Sequence, residues 1–302
     1  MKRMMILALM LAPACALDVA DTSSTSDELD SSNGHGKAEP VDARVHWAKG
    51  AKPGGGGGGS PNLIYHGGPV MAAGASVQPI FWGTSWANAS FVADKISGLQ
   101  TFYGGMGGTS YVGTNSEYTQ SNGQHVGTAV TLGAVHIDTS TAARNGSRTS
   151  TILAEVCKEI TNPVTNGYYP VYIDNPRGHA GYCAWHSTGT CNGVQVQFAF
   201  FFNLDGDAGC DPGATGGHSQ GLSALANVSG HELSEALTDN HLDAWYDSSG
   251  AENSDKCAWT FGASLLQFSN NSQWRVQGNW SNNAYDANQG YGGNRGCIDG
   301  TN

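Results

Sequence analysis

Charge is scarce in this chain, and positive charge is scarcest. Fourteen Lys and Arg stand against 25 Asp and Glu, for a formal net charge of -11. That balance excludes nucleic acid and anionic membrane surfaces as main partners. Long apolar runs are also missing. The stretch Met4–Leu11 is too short to span a bilayer, and no other segment is long and apolar enough to be a membrane helix. No CxxC pair occurs, so the cysteines do not spell a zinc ribbon. No internal repeat is visible. Ser219 and Ser229 lie near histidines, but a nucleophile elbow is not expected at either.

What is abundant is small and polar. The 43 glycines, with many Ser, Thr and Asn, suggest a secreted, loop-rich protein. Residues 1–16 read as an export signal: Lys2 and Arg3, the apolar core Met4–Leu11, then Ala12, Ala14 and Ala16. Cleavage after Ala14 or Ala16 is one expected outcome. Lipidation of Cys15 behind the degenerate Ala12-Pro13-Ala14 is the other, and it would anchor the chain at a surface. Either route leaves six cysteines, an even number suited to three disulfides in an oxidising compartment. Connectivity is not readable from spacing.

Residues 17–61 read as a tether. The stretch is acidic and poor in large apolar residues, and it ends in the glycine run Pro53–Pro61. Ordered patterning is expected from about Leu63, and residues 62–302 as one monomeric domain of α/β or α+β class. Strands are expected over Val77–Trp82, Thr128–Ile137, Gly167–Asp174 and Val194–Phe202. Helices are expected over Ala89–Tyr103, Arg148–Ile160 and Gln220–Thr238. The tail after Asp239 is loop-rich and is expected to close over the last helix, pinned by Cys257 and Cys297.

That last helix carries the chemistry. His231 and Glu235 are four residues apart, which stacks them on one helical face where both can grip one metal ion. Glu232 stands beside the first ligand, where it can take a proton from water. This is the geometry of His-Glu-x-x-His, with glutamate as the second ligand. Zinc accepts carboxylate oxygen, so zinc is the expected cofactor. A catalytic zinc needs a third ligand. His241, ten residues after His231, and Glu252, on the following loop, are the candidates, with Asp255 beside Glu252. The alternatives stay open. So does the plainest reading, a helix that merely carries two glutamates.

Other groups have simpler readings. Asp205, Asp207 and Asp211 read as an acidic turn rather than a calcium loop. His66 and His186 read as structural histidines among aromatics, with the lining of a cleft as the alternative for either. Trp82, Trp86, Trp185, Trp245 and Trp259 read mostly as core.

Several stretches together resemble the EXORDIUM, or phosphate-induced, protein family in its secreted bacterial branch. They are IYHGGPVM (Ile64–Met71), VQPIFWG (Val77–Gly83), GYCAWH (Gly181–His186), the cysteine-containing turn before the last helix, and HELSEALTDNHLDAWYDSSGAENSDKCAWTFG (His231–Gly262). VQGNWSN (Val276–Asn282) and Cys297 follow in the same order. The resemblance implies that His231, Glu232 and Glu235 match the bacterial motif. It implies that Glu252 and Cys257 match more widely shared positions, and that His241 is not a family feature. Asn240 stands where the family has a helix-ending proline, so the helix is expected to run slightly further here. Plant members are linked to growth and cell expansion outside the cell.

Two functions follow as expectations. One is a secreted zinc-dependent peptidase or related hydrolase of zincin-like plan, acting on a peptide, with Glu232 as general base. The other is a non-catalytic surface protein that binds cell-wall glycan or a protein partner.

Overall fold

The computed structural model describes residues 43–51, 61–143, 148–213 and 215–301. The export signal of residues 1–16, Cys15, the acidic part of the tether up to residue 42 and the glycine run all lie outside the described residues.

Eight strands among the described residues form one mixed sheet: β1 Arg44–Trp47, β2 Ala75–Val77, β3 Ile80–Trp82, β4 Val130–Leu132, β5 His136–Asp138, β6 Gly167–Pro176, β7 Tyr182–Cys191 and β8 Val194–Asn203. β7 pairs antiparallel with β1 on one side and β8 on the other. β8 runs parallel to β6, β6 parallel to β2 and β3, and these parallel to β4 and β5. The fold is therefore mixed α/β.

Val77–Trp82, expected as one strand, is two short ones. The register of β2 and β3 on β6 continues across the gap, so Pro79 falls opposite Pro170. Neither proline has an N–H to give the ladder, and the strand breaks there. Thr128–Ile137 also splits, because one extra residue is inserted between β4 and β5 against the neighbouring strand. The centre of the sheet matches its sequence better. In β8 the run Phe198 to Phe202 is buried throughout, each large side chain contributing about 1.5–3 kcal/mol of transfer free energy.

β7 was not expected as a strand, because Ser187, Thr188, Gly189 and Thr190 mask its pattern. A signal for it was present. Asn192 and Gly193, both at positive φ, make the two-residue turn that joins Cys191 to Val194. β1 corrects the boundary of the tether: Arg44–Trp47 is an ordered edge strand, not part of a disordered 17–61 segment. Four residues in a polar stretch carry too little pattern to reveal that. Their order comes from pairing with β7.

Three helices of more than two turns pack on the sheet: α1 Lys95–Met106, α2 Thr149–Glu159 and α3 Gln220–Thr238. The helix expected over Ala89–Tyr103 breaks at Ala93, which has φ 45°; a single turn precedes it and α1 runs on to Met106. α3 has the expected bounds, and it stops at Thr238 despite the missing proline. Ser219 caps its start, accepting from Leu222 N at 3.1 Å. α3 lies against β7, β8 and α1. The approach to α1 is close because Gly98 has no side chain: a Cβ there would meet Leu222 Cδ2 at 2.1 Å.

After Asp239 the described chain forms short turns, brief helical turns at Asp255–Cys257 and Asn282–Asp286, and two-residue strand pairs: Trp245–Tyr246 with Ile64–Tyr65, Leu266–Gln267 with Gln273–Trp274, and Asn279–Trp280 with Cys297–Ile298. The disulfides are Cys157–Cys191, Cys183–Cys210 and Cys257–Cys297. The first ties α2 to the end of β7. The last closes the tail on itself. No described helix is long and apolar enough to cross a membrane.

Candidate metal centre

The C-terminal half of α3 points its polar residues at β7 and at the loop after Ala251. His231 Nε2 lies 2.9 Å from Glu235 Oε1, one helical turn on. From the sheet, His186 of β7 places Nδ1 3.1 Å from Glu232 Oε2 and 3.4 Å from Glu235 Oε2. From the loop, Glu252 brings Oε2 to 3.6 Å from His186 Nε2. His186 is at most 1% exposed, and His231, Glu232, Glu235 and Glu252 are 0% exposed.

The cluster gathers into two groups whose ligand atoms all lie within 4.8 Å: His231 with Glu232 and Glu235, and His186 with Glu235 and Glu252. Glu235 belongs to both. Glu252 is thus brought in from the loop. His241 lies half-buried just beyond α3 and is in neither group. Asp255 stands at the edge, its Oδ1 3.8 Å from His231 Nε2 and its N–H donating to Glu235 Oε1 at 2.9 Å.

Hydrogen bonding does not account for this cluster. Glu232 Oε1, Glu235 Oε2 and both oxygens of Glu252 are buried with no hydrogen-bond partner, and His231 Nε2 is too poorly aligned with Glu235 to donate well. Buried oxygens without donors are costly, each worth about 1–3 kcal/mol or more. The separations suit a cation. Oxygen and nitrogen ligands at about 2.0–2.1 Å from a tetrahedral ion lie roughly 3.3 Å apart, and the two contacts between atoms free to bind, His231 Nε2 to Glu235 Oε1 at 2.9 Å and His186 Nε2 to Glu252 Oε2 at 3.6 Å, bracket that value.

The two histidines fit a metal differently. Nδ1 of His186 faces the Glu232 carboxylate, so the proton belongs there and Nε2 is left towards Glu252 as a ligand atom. A carboxylate behind a metal-binding imidazole is a common arrangement. His231 has the Gln277 amide nitrogen 2.7 Å from its Nδ1, while that nitrogen also donates to Ser254 O at 3.0 Å. A ligand role for His231 Nε2 needs a proton on Nδ1, and therefore the Gln277 amide turned so that its oxygen faces the ring.

Protonation reflects the crowding. Burial pushes the Glu232 carboxyl up to about 7, against its bond with His186. Burial also drives Glu252 well above the usual carboxylate range, helped by Glu235 and Asp239. Glu235 goes the other way: burial opposes its charge, but the two imidazoles outweigh it. His186 is held up at about 9, burial being overcome by Glu232 and Glu235.

Sequence reasoning missed His186 as a member of the cluster, along with Gln277 and His46, whose ring centroid lies 3.8 Å from that of His231. The aromatic surroundings of His186 gave it a structural reading, and only the register of β7 against α3 reveals its neighbours.

The other candidates settle simply. Asp205 pairs with Lys95, and Asp207 takes two bonds from Arg177 at 2.7 and 2.9 Å, as an acidic turn does. The acidic group Asp138, Glu155 and Glu159 carries its own cation in Lys158. Gly217-His218-Ser219-Gln220-Gly221 has the letters of a nucleophile elbow but not its setting. No strand leads into it, and Ser219 Oγ donates to Asp94 at 2.6 Å while it caps α3. His66 stacks on Tyr246 at 3.6 Å. Trp82, Trp86 and Trp185 are buried, and Trp245 and Trp259 are half-buried against the core.

No family model matches the chain, no curated protein matches it, and no solved structure matches it.

Proposed function

We propose that the chain is a secreted metal-dependent hydrolase, of peptidase type, with zinc as its ion. One observation carries the reading: three fully buried glutamates converge on two histidines, and four of their oxygens have no hydrogen-bond donor. Glu235 is the central ligand, with His186 and Glu252 beside it. His231 joins only with the Gln277 amide turned, which gives up its bond to Ser254 O and the one it accepts from Trp259 N. The order of elements, sheet and helices first, α3 next and a loop-rich end last, is in keeping with a zincin-like plan. Three disulfides favour an oxidising, extracellular location.

A bound zinc ion supplies a Lewis acid and lowers the pKa of water. The protein does the rest. Glu232 is anchored to His186 through Oε2, and its Oε1 accepts no hydrogen bond, so that oxygen takes the proton. Glu232→Gln removes the base and spares the ligands. Metal content should stay near one ion per chain while hydrolysis of a peptide library is lost, and hydrolysis at the parent rate would sink the role of Glu232.

A second reading has its own support. Every residue of the cluster is buried, as in an ion that only braces a fold. A non-catalytic protein that binds a surface glycan or protein partner would then keep its metal and hydrolyse nothing.

A further inference from the structure

We propose that the β7 edge beside the cluster is a binding groove for an extended peptide, and that Arg44–Trp47 is its built-in occupant. This rests on the reading of the cluster as a hydrolytic site, and it names the substrate class and explains the burial. β1 pairs antiparallel with β7 from Arg44 opposite His186 to Trp47 opposite Tyr182. His186 is itself a member of the cluster, so the occupant runs directly past it. The main chain continues the attachment: Ala48 N donates to Gly181 O and Lys49 N to Gly209 O, both at 2.9 Å.

Alternation along a strand sends Arg44 and His46 to the same side, and that side is the cluster. Arg44 Nε lies 3.9 Å from Glu252 Oε2, and the His46 ring packs between His231 and Trp259 at 3.8 and 4.8 Å. Trp259 Nε1 donates to Trp47 O at 2.9 Å. A strand added to a sheet edge is a standard way of holding a peptide, with main-chain bonds for affinity and alternate side chains for specificity. The groove therefore suits an extended peptide with a basic residue towards Glu252 and, two residues later, a flat ring over His231. Arg44–Trp47 is covalently joined to the rest of the domain through residues 48–60, so it competes with free peptide as an intramolecular occupant.

The test uses the full chain with the run Gly54–Gly59 replaced by the recognition sequence of a specific protease. The probe is the labelled peptide ARVHWAKGA, residues 43–51, followed by fluorescence anisotropy. Cutting should tighten its binding at least tenfold. The same peptide with Arg44→Glu and His46→Ala should bind at least tenfold more weakly. Because a cut strand can stay in place, the uncut chain carrying Arg44→Glu and His46→Ala is measured too, with circular dichroism to confirm folding, and it should also bind the probe. No gain in either chain overturns the proposal, as does equal binding of the altered peptide. Peptide binding without hydrolysis sinks the hydrolase and leaves the groove. Hydrolysis at the same rate before and after cutting, and in the double variant, overturns the groove and leaves the hydrolase.

Discussion

Gln220–Val228 and Ser229–Thr238, the two halves of α3, are buried alike but held by different forces. The first half is held mainly by fit: Leu222 fills the space that Gly98 leaves, Ala224, Leu225, Ala226 and Val228 face apolar neighbours, and the buried Asn227 accepts from Gln277 N at 2.9 Å. The second half has apolar residues too, at Leu233, Ala236 and Leu237, but it also buries His231, Glu232, Ser234 and Glu235. Burial of apolar surface is favourable wherever it happens, whereas buried charge needs a partner in a defined place. Some partners are present. Tyr172 and Ser229 hydroxyls meet at 2.7 Å, and Asn279 donates to Ser234 Oγ at 3.2 Å. The glutamates are exceptions, as is Asn227 Nδ2, and buried polar atoms without hydrogen-bond partners cost stability unless something else satisfies them.

The sharpest test removes the polar half's purpose. His231→Ala with Glu235→Ala should take the protein from about one zinc per chain to none by elemental analysis; unchanged metal content breaks the comparison. Leu225→Ala strikes the apolar half. It should lower unfolding free energy by about 2–5 kcal/mol in denaturant titrations, with metal stoichiometry of the folded protein unchanged. Paired Cys257→Ser and Cys297→Ser substitutions release the anchor that follows Glu252 by five residues and Asp255 by two. They should cost about 2–4 kcal/mol, and metal affinity should fall with stability if the loop positions Glu252.

The smallest effect is a pH trend in the metal-stripped protein. His186 has its pKa raised to about 9, so its contribution is complete below about 6.5 and is lost as pH rises through 9. Glu232, raised to about 7, acts in the same direction: its folded form keeps a proton that the unfolded chain releases. Thermal midpoints without metal should therefore fall from about pH 6 to pH 9. Glu235, held low, contributes above the ordinary carboxylate pKa and is lost only on acidification. A flat profile across pH 6–9 would argue against the His186–Glu232 pairing.

Much of the fold could be read from local pattern. α3, α2, β6 and β8 lie close to their expected places, because each has a periodicity that survives its surroundings. The failures have causes. Pro79 and Pro170 interrupt one strand, Ala93 interrupts one helix, and β7 is hidden by small polar residues. β1 has no pattern of its own. At the site, the spacing of His231 and Glu235 was readable and Glu252 was a named candidate. His186, His46 and Gln277 were not found, since nothing in their neighbourhoods distinguishes them from structural residues.

The sequence by itself determined that His231 and Glu235 share one helical face, because a turn of 3.6 residues brings positions four apart together wherever the helix lies. It also determined an acidic chain with an even set of cysteines after residue 16. Only the tertiary structure decided that His186 and Glu252 meet them, that Glu235 is shared between two groups, and that Arg44–Trp47 lies across the cluster. Those contacts join residues far apart in the chain, and they depend on strand register, on α3 packing against β7, and on how the loop after Ala251 returns.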